Sequence, residues 1–179
     1  MNTVAGKLAI HKLAAIVIAA ASLMITIPSH AQSSSVSDAD EQVREVVTLS
    51  LMSWETLLED EFVSTSHPDL LFAFPRVRAD LEGALKVFRM WKEQYEDTRV
   101  YIHQILVDGN RFSAEYQFAT TKKETGKRTV MGTIAIGELR DGRIVVLKEY
   151  TDGRVADLQE QGKLALEEGE EPFPWPKLD

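Results

Sequence analysis

The chain has 179 residues, of which 44% are hydrophobic and 27% are charged, as expected for a globular protein with one domain. Its formal net charge of −8 argues against nucleic acid or an anionic membrane as the main partner. It contains no cysteine, which excludes a disulfide framework, a zinc–thiolate site, a thiol nucleophile and a lipidated cysteine anchor.

The N-terminal segment, residues 1–31, has the pattern of a secretory signal peptide. Lys7 and Lys12 form a basic start to an apolar run from Leu13 to Ile27, and the small residues Ser29 and Ala31, at −3 and −1, predict cleavage after Ala31. The alternative is an uncleaved membrane anchor, but a spanning helix needs ~20 apolar residues and this run is shorter. We therefore expect export to the periplasm or the medium, no stable membrane anchor after cleavage, and a flexible Ser-rich linker over residues 32–39.

Two amphipathic helices are predicted next. The first follows from apolar residues at three- and four-residue spacing over residues 43–58, with Asp38 or Asp40 as its N-cap. Leu70–Phe74 is predicted to be a short strand or the floor of a pocket. The second helix extends over about residues 80–95, again with one apolar face.

A β-meander from Thr98 to Asp152 follows the helices. Its four strands are separated by turn signals at residues 108–110, 124–127 and 141–142, where glycine supplies positive φ. Helices first and antiparallel strands afterwards predict an α+β fold. Residues 154–179 are predicted to be an acidic segment that is weakly helical at first and ends in an extended Pro-rich tail.

Loop length decides which side chains of the meander share a face, because the side-chain period of a strand is two. With two-residue loops, the inner face is predicted to carry Tyr101, His103, Ile105, Phe112, Ala114, Tyr116, Phe118, Met131, Thr133, Ala135, Ile144, Val146, Lys148, Tyr150 and Asp152. A bulge in the Glu124–Lys127 loop would instead turn the last two strands over. Their inward residues would then be Val130, Ile134, Ile136, Val145, Leu147 and Glu149.

The order of these elements resembles the nuclear transport factor 2-like superfamily and, within it, the SnoaL-like group. The similarity lies in Leu81–Leu85 at the start of the second helix, in the strand–Asp-Gly–strand step of Ile105–Phe112, and in the last strand from Asp141 to Asp152. It covers residues 40–153. The resemblance implies a cone-shaped, curved antiparallel sheet wrapped around the N-terminal helices and enclosing an apolar pocket. It also implies a homodimer formed through the outer face of the sheet.

Candidate site residues follow from the inward register and from the resemblance. The ligand-pocket residues are predicted to be Trp54, Phe72, Phe74, Phe88, Trp91, Tyr101, Tyr116, Phe118, Lys148 and Tyr150. The candidate catalytic residues are Asp152, which matches the last-strand Asp of the family and would abstract a proton, and His103, the histidine of the meander. The alternatives are an Asp that caps the following turn and a hydrogen-bonded core histidine.

Other chemistry has little support in the sequence. His67 and Asp69 offer two ligands on one turn, and no phosphate-binding Gly loop, nucleophile elbow or HExxH motif occurs, so neither a metal nor a cofactor is predicted. The catalytic residues of the family's epoxide hydrolases and steroid isomerases do not carry over. We therefore expect binding of a small apolar molecule without catalysis. The alternatives are a cofactor-free acid/base lyase, isomerase or cyclase, and a protein-interaction module that uses the outer sheet and residues 173–175.

Overall fold

The computed structural model describes residues 37–75 and 77–166. The helices and strands in these ranges are α1 Asp38–Thr56, α2 Glu59–Thr65, β1 Ser66–Phe74, β2 Val77–Ala79, α3 Leu81–Gln94, β3 Tyr95–Asp108, β4 Arg111–Lys122, β5 Lys127–Arg140, β6 Arg143–Thr151 and α4 Gly153–Glu160. The predicted signal peptide, the start of the predicted linker and the Pro-rich tail lie outside the described residues.

Side-chain caps start both long helices. Ser37 Oγ accepts a hydrogen bond from the Asp40 backbone N–H at 3.1 Å, so the cap of α1 is Ser37 rather than Asp38 or Asp40. The first turn of α1 therefore occupies the end of the predicted linker. Asp80 Oδ1 accepts from the Gly83 N–H at 2.9 Å and caps α3. Both predicted amphipathic helices are present.

The six strands form one open sheet in the order β2-β1-β6-β5-β4-β3. Strands β3 to β6 pair antiparallel with their sequence neighbours, as the meander predicts. Strand β1, which contains the predicted strand at Leu70–Phe74, pairs parallel with β6, so the sheet is mixed rather than wholly antiparallel. A parallel pair needs a long crossover connection, and this one passes through α3 and the meander. The predicted α+β class is confirmed.

A β-bulge in β3 changes the facing of its first half. Ile102 pairs with Tyr116 and Gln104 pairs with Glu115, which leaves His103 as an extra residue. Because the register shifts by one at this point, residues 99–102 lie on the opposite face from that of a regular strand, and a further shift between Glu96 and Arg99 reverses the facing again.

A second bulge lies in β6. Glu138 pairs with Val146 and Leu139 pairs with Ile144, which leaves Val145 as the extra residue. From Val146 onward, β6 presents the opposite side chains to those of a strand that continues regularly from the Asp141–Gly142 turn.

The bulge considered for the Glu124–Lys127 loop is absent. Strands β4 and β5 pair without a shift from Arg111 opposite Glu138 to Lys122 opposite Lys127. The facing of β5 is therefore the one that two-residue loops predict, and β6 alone among the last two strands is turned over.

The core lies between the inner face of the sheet and the helices. At its centre, the ring centroid of Trp54 in α1 is 4.9 Å from that of Phe88 in α3. The ring centroids of Phe62, Phe118 and Trp91 lie 6.1, 6.2 and 6.3 Å from that of Trp54. Aromatic pairs at these separations add to the energy of burial.

Among the described helices, none combines the length and apolar character that a membrane span requires.

Candidate functional site

A cavity of about 150 Å³ lies between the long helices and the inner face of the sheet. It is lined by Trp54, Phe72, Phe74, Val87, Trp91, Tyr116, Phe118, Met131, Thr133, Glu149 and Thr151. Six of these eleven residues are aromatic, and Glu149 alone among them carries an ionisable acid. The site is thus an apolar chamber with one carboxyl group in its wall.

Two tryptophans on the buried stripes of α1 and α3 form adjoining walls. The rings of Trp54 and Trp91 meet at an interplanar angle of 89°. Trp91 stacks on Tyr95 with a centroid distance of 4.0 Å, and its Nε1 donates a hydrogen bond to Thr98 Oγ1 at 3.3 Å. The Trp91 ring is therefore held by a stacking contact and by a hydrogen bond.

A hydrogen bond between Tyr116 and Glu149 is the main polar feature of the cavity. The buried Tyr116 hydroxyl, on β4, donates to Oε1 of the partly buried Glu149, on β6, at 2.7 Å. At this level β5, which lies between them, contributes only the small side chains of Thr133 and Ala135. The bulge at Val145 is what turns Glu149 toward the cavity.

Burial governs the protonation of this pair. It raises the pKa of the Glu149 carboxyl above its ordinary value, and the hydrogen bond from Tyr116 partly offsets that rise. Burial, together with the nearby Glu149 carboxylate, raises the pKa of Tyr116 well above its ordinary value. Tyr116 is therefore a neutral donor, and Glu149 exchanges its proton closer to neutral pH than an exposed glutamate does.

Two further polar atoms of the cavity-lining residues lack hydrogen-bond partners. Within the described ranges nothing bonds to Trp54 Nε1 or to Thr133 Oγ1, although both atoms are buried. An unsatisfied buried donor or hydroxyl costs about 1–3 kcal/mol. The walls of the cavity therefore contain hydrogen-bonding groups that no described residue satisfies.

The structure brings together part of the predicted pocket. The predicted residues that line the cavity are Trp54, Phe72, Phe74, Trp91, Tyr116 and Phe118. Phe88 is instead fully buried in the core behind Trp54. Tyr101, Lys148 and Tyr150 lie on the outer face, where they pair with Gln117, Ile136 and Ile134. Their inward placement assumed regular strands, and the two bulges correct it.

The two predicted catalytic residues do not line the cavity. His103 is the extra residue of the β3 bulge, between the pairs Ile102–Tyr116 and Gln104–Glu115. Asp152 follows β6, and its Oδ1 accepts a hydrogen bond from the Val155 backbone N–H at 3.3 Å. Asp152 therefore caps α4, which is the capping alternative considered from the sequence.

Glu149 is the functional residue that regular strand alternation misses. It faced inward only in the alternative register, which placed the bulge in the wrong loop. The start of β6 gives no signal, because Ile144, Val145 and Leu147 are all buried and form an apolar run without alternation. Because such a run has no apolar/polar alternation, an extra residue in it cannot be recognised from the sequence.

His67 lies near two carboxylates. Its Nδ1 is 3.9 Å from Asp69 Oδ2, and its Nε2 is 3.9 Å from Asp141 Oδ2. Nδ1 also accepts a hydrogen bond from the Asp69 backbone N–H at 3.0 Å. In the part of the chain that the structure describes, no group of three or more histidines and acids is arranged to hold a metal ion.

Comparison with solved structures places this fold among known ones. An LEH-like epoxide hydrolase from M. tuberculosis is 18% identical, with a TM-score of 0.60 over 69% of this chain and 92% of its own. A protein with a ketosteroid isomerase-like fold from Catenulispora acidiphila, in complex with trimethylamine, is 14% identical, with a TM-score of 0.60 over 65% and 92%. An NTF2-like protein from Burkholderia thailandensis is 13% identical, with a TM-score of 0.59 over 65% and 95%.

At these identities the likeness establishes the fold and no more. No curated protein matches the sequence. The family model of the SnoaL-like domain matches residues 53–147, which is more than half of the chain and includes most of the cavity wall. The chain therefore belongs to the SnoaL-like domain family.

Proposed function

We propose that this protein binds a small, largely apolar molecule in the cavity between its helices and its sheet. The observation that carries the proposal is a cavity of about 150 Å³ in which aromatic residues line the walls around one hydrogen-bonded polar pair, Tyr116 and Glu149. Ligand sites are typically apolar cavities with a few convergent polar groups. A cavity of about 150 Å³ holds a molecule of the size of benzene, so we expect a ligand of one ring or its equivalent.

A screen of single-ring compounds by thermal unfolding tests this proposal. A ligand at 100 times its Kd adds ~2.7 kcal/mol to the free energy of unfolding, a shift that is easily measured. The variant Val87→Phe places a larger side chain in the cavity wall and should abolish the shift. If it melts as the unliganded wild type does, its lack of response reports on the cavity and not on misfolding. Absence of any shift with all single-ring compounds would contradict the proposal.

The similar structures do not select a ligand. One is an epoxide hydrolase, at 18% identity, and another is bound to trimethylamine, at 14% identity. The chemistry of the ligand has to be inferred from the cavity of this chain.

Cofactor-free acid/base catalysis is the second candidate, and the Tyr116–Glu149 pair favours it. A carboxyl with a raised pKa beside a neutral hydroxyl donor in an apolar chamber is suited to proton transfer. Glu149 would take the role of base that the sequence assigned to Asp152 and His103. The test is exchange of the α-protons of single-ring ketones in D2O, followed by NMR. Exchange that wild type catalyses and Glu149→Gln does not would support catalysis, whereas equal rates would exclude it.

The outer face of the sheet is proposed as the site of a homodimer contact. Its most exposed apolar side chains are Leu106, Ile134, Ile136 and Tyr150, each at least 44% exposed. They lie together on strands β3, β5 and β6. A two-fold contact buries the same patch on both copies, so one such patch is enough for self-association. We therefore propose a second copy of this chain as the partner of the outer face, in place of the unspecified protein partner considered from the sequence.

Export completes the proposal. The basic start and apolar run within residues 1–31 support secretion with cleavage after Ala31. Mass spectrometry of the protein from the periplasmic fraction or the medium of an expressing bacterium tests it. A chain that begins at Gln32 is the expected result, and retention of the uncleaved chain in the membrane would contradict it.

A further inference from the structure

The charge in the cavity wall is unbalanced. Glu149 is the acid among the lining residues, and no lysine, arginine or histidine is included in that lining. Tyr116 donates to Oε1 as a neutral group and so supplies no positive charge. An ionised carboxylate in a low-dielectric environment is stabilised by pairing with a cation. Above the pKa of Glu149, the described part of the chain therefore leaves a negative charge in this chamber without a cationic partner.

One oxygen of this carboxyl remains available. The Tyr116 hydroxyl occupies Oε1 at 2.7 Å, whereas Oε2 receives no hydrogen bond from any described residue. The hydrogen bond orients the carboxyl group, because it fixes one of its two oxygens against β4. A ligand with an N–H donor would find Oε2 unoccupied at the cavity wall.

The aromatic walls add a second attraction for positive charge. The rings of Trp54 and Trp91 meet at 89°, and those of Trp54 and Phe118 meet at 80°. These are edge-to-face contacts, and all three rings line the cavity. The faces of aromatic rings are electronegative and attract organic cations, most strongly when the cation is desolvated. Aromatic walls combined with one carboxylate are the chemistry that recognises alkylammonium groups.

We propose that the ligand of this cavity is a small organic cation, a protonated amine or a quaternary ammonium of about one ring in size, held by Glu149 and by the aromatic walls. The inference rests on the proposed binding function and names the chemical class of its ligand. Anions are excluded from this class because they would face the Glu149 carboxylate. Neutral molecules of the same shape bind more weakly, because they leave the carboxylate charge uncompensated.

Three ligands of nearly equal size and different charge test the proposal: benzylamine, benzyl alcohol and benzoate. Binding is measured by isothermal titration calorimetry and by fluorescence of the cavity tryptophans, Trp54 and Trp91. At about pH 8, benzylamine should bind at least about 10-fold more tightly than benzyl alcohol, a difference of about 1.4 kcal/mol. Benzoate should bind most weakly. Equal or tighter binding of benzyl alcohol would overturn the inference.

Two variants test whether the charge of Glu149 causes the preference for benzylamine. In Glu149→Gln, benzylamine and benzyl alcohol should bind within about twofold of each other. Glu115→Gln removes the same charge from the exposed outer face of β4 and should keep the wild-type preference. A preference that persists in Glu149→Gln would place the cation elsewhere and refute the proposal. Unchanged benzyl alcohol binding in that variant shows that the cavity is still folded.

Proton release gives an independent signature. Tyr116 is the other titratable group of the cavity lining, and it stays neutral, so Glu149 alone changes its charge there as pH rises. Benzylamine affinity should increase with pH through the Glu149 pKa, with a proton released on binding, and both effects should vanish in Glu149→Gln. If benzyl alcohol binds as tightly as benzylamine, the cavity binds a ligand but the proposed cationic class is wrong. If none of the three ligands binds, the proposed function fails as well.

Discussion

The Tyr116 hydroxyl and the Glu149 carboxyl form a 2.7 Å hydrogen bond across an intervening strand. Neighbouring strands lie about 4.8 Å apart, so the backbones of β4 and β6 are separated by about twice that distance. Ala135 stands opposite Glu149 on β5 and has a small, fully buried side chain, which leaves room for the two longer side chains to meet above it. The hydrogen bond therefore depends on the small side chain of Ala135 on β5 as well as on Tyr116 and Glu149.

Removal of the Tyr116 hydroxyl should raise the pKa of Glu149 further. The hydrogen bond lowers that pKa, because it stabilises the ionised carboxylate, and Tyr116→Phe deletes it while the ring remains. A hydrogen bond to a charged group contributes about 1.5–3 kcal/mol, so we expect a loss of that order in the free energy of unfolding above the Glu149 pKa. NMR titration of the Glu149 side-chain carboxyl carbon measures the pKa.

The matched control for this change is Tyr150→Phe, which removes a hydroxyl from the exposed outer face of β6. It should leave the Glu149 titration unchanged. An unaltered Glu149 pKa in Tyr116→Phe would mean that the hydrogen bond does not stabilise the carboxylate.

Glu149 should make the protein less stable as pH rises. Its pKa is raised in the folded state, so the folded chain binds this proton more tightly than the unfolded chain does. The resulting stabilisation is fully present below the ordinary glutamate pKa and is lost as pH rises through the folded-state pKa. Glu149→Gln does not titrate and should therefore gain stability relative to wild type across this window. Urea unfolding from about pH 4 to about pH 8 measures the difference.

Glu115→Gln serves as the reference for that comparison, because it makes the same chemical change on the outer face of the sheet. Its stability curve should run parallel to that of wild type. Parallel curves for wild type and Glu149→Gln would show that Glu149 has an ordinary pKa in the folded protein.

Gly137 should not tolerate a side chain. It pairs with Phe112 across β4 and β5, and a Cβ at this position would collide with the Phe112 ring and with the backbone oxygen of Val146. Overpacking of this kind costs about 1–3 kcal/mol, and a backbone atom cannot rotate away, so we expect Gly137→Ala to lie at the upper end. Thermal or urea unfolding measures the loss.

Gly132→Ala is the control on the same strand, because an added Cβ there meets no atom within 4 Å. Its effect should stay within about 0.5 kcal/mol. The double variant Phe112→Leu/Gly137→Ala should recover only part of the loss, since the Val146 oxygen remains in place. A Gly137→Ala protein as stable as Gly132→Ala would show that the two strands move apart without cost.

A charge on the outer face should separate the proposed dimer. Ile134 is 49% exposed on β5 and lies opposite Tyr150 on β6. Ile134→Lys places a charge in a contact that two-fold symmetry repeats, so like charges approach one another. Analytical ultracentrifugation should show dimers for wild type and monomers for the variant. Monomeric wild-type protein at all concentrations would refute the dimer.

The sequence predicts the elements of this fold better than it predicts their facing. Apolar spacing of three and four residues indicates α1 and α3, because each has one buried stripe, and Asp-Gly marks the turn at residues 141–142. The parallel pairing of β1 with β6 is not predicted, because it joins segments that are far apart in the sequence. The short elements α2 and β2 are not predicted either, because each is too short for the spacing of its apolar residues to show a repeat.

The candidate site is predicted only where no bulge intervenes. Trp54, Trp91 and Phe118 line the cavity as expected, because helical periodicity and the unshifted part of the meander fix them. Tyr101 and Lys148 were placed inward, because each was counted along a regular strand from the nearest turn. A single extra residue at His103 or at Val145 reverses that count, and nothing in the local composition indicates it.

The bulge in β6 also decides the sign of the charge at the cavity wall. Because Val145 has no partner on β5, the strand presents Glu149 to the cavity and Lys148 to the outer face. A strand that continued regularly from the Asp141–Gly142 turn would present Lys148 inward instead, and the wall would carry a positive charge.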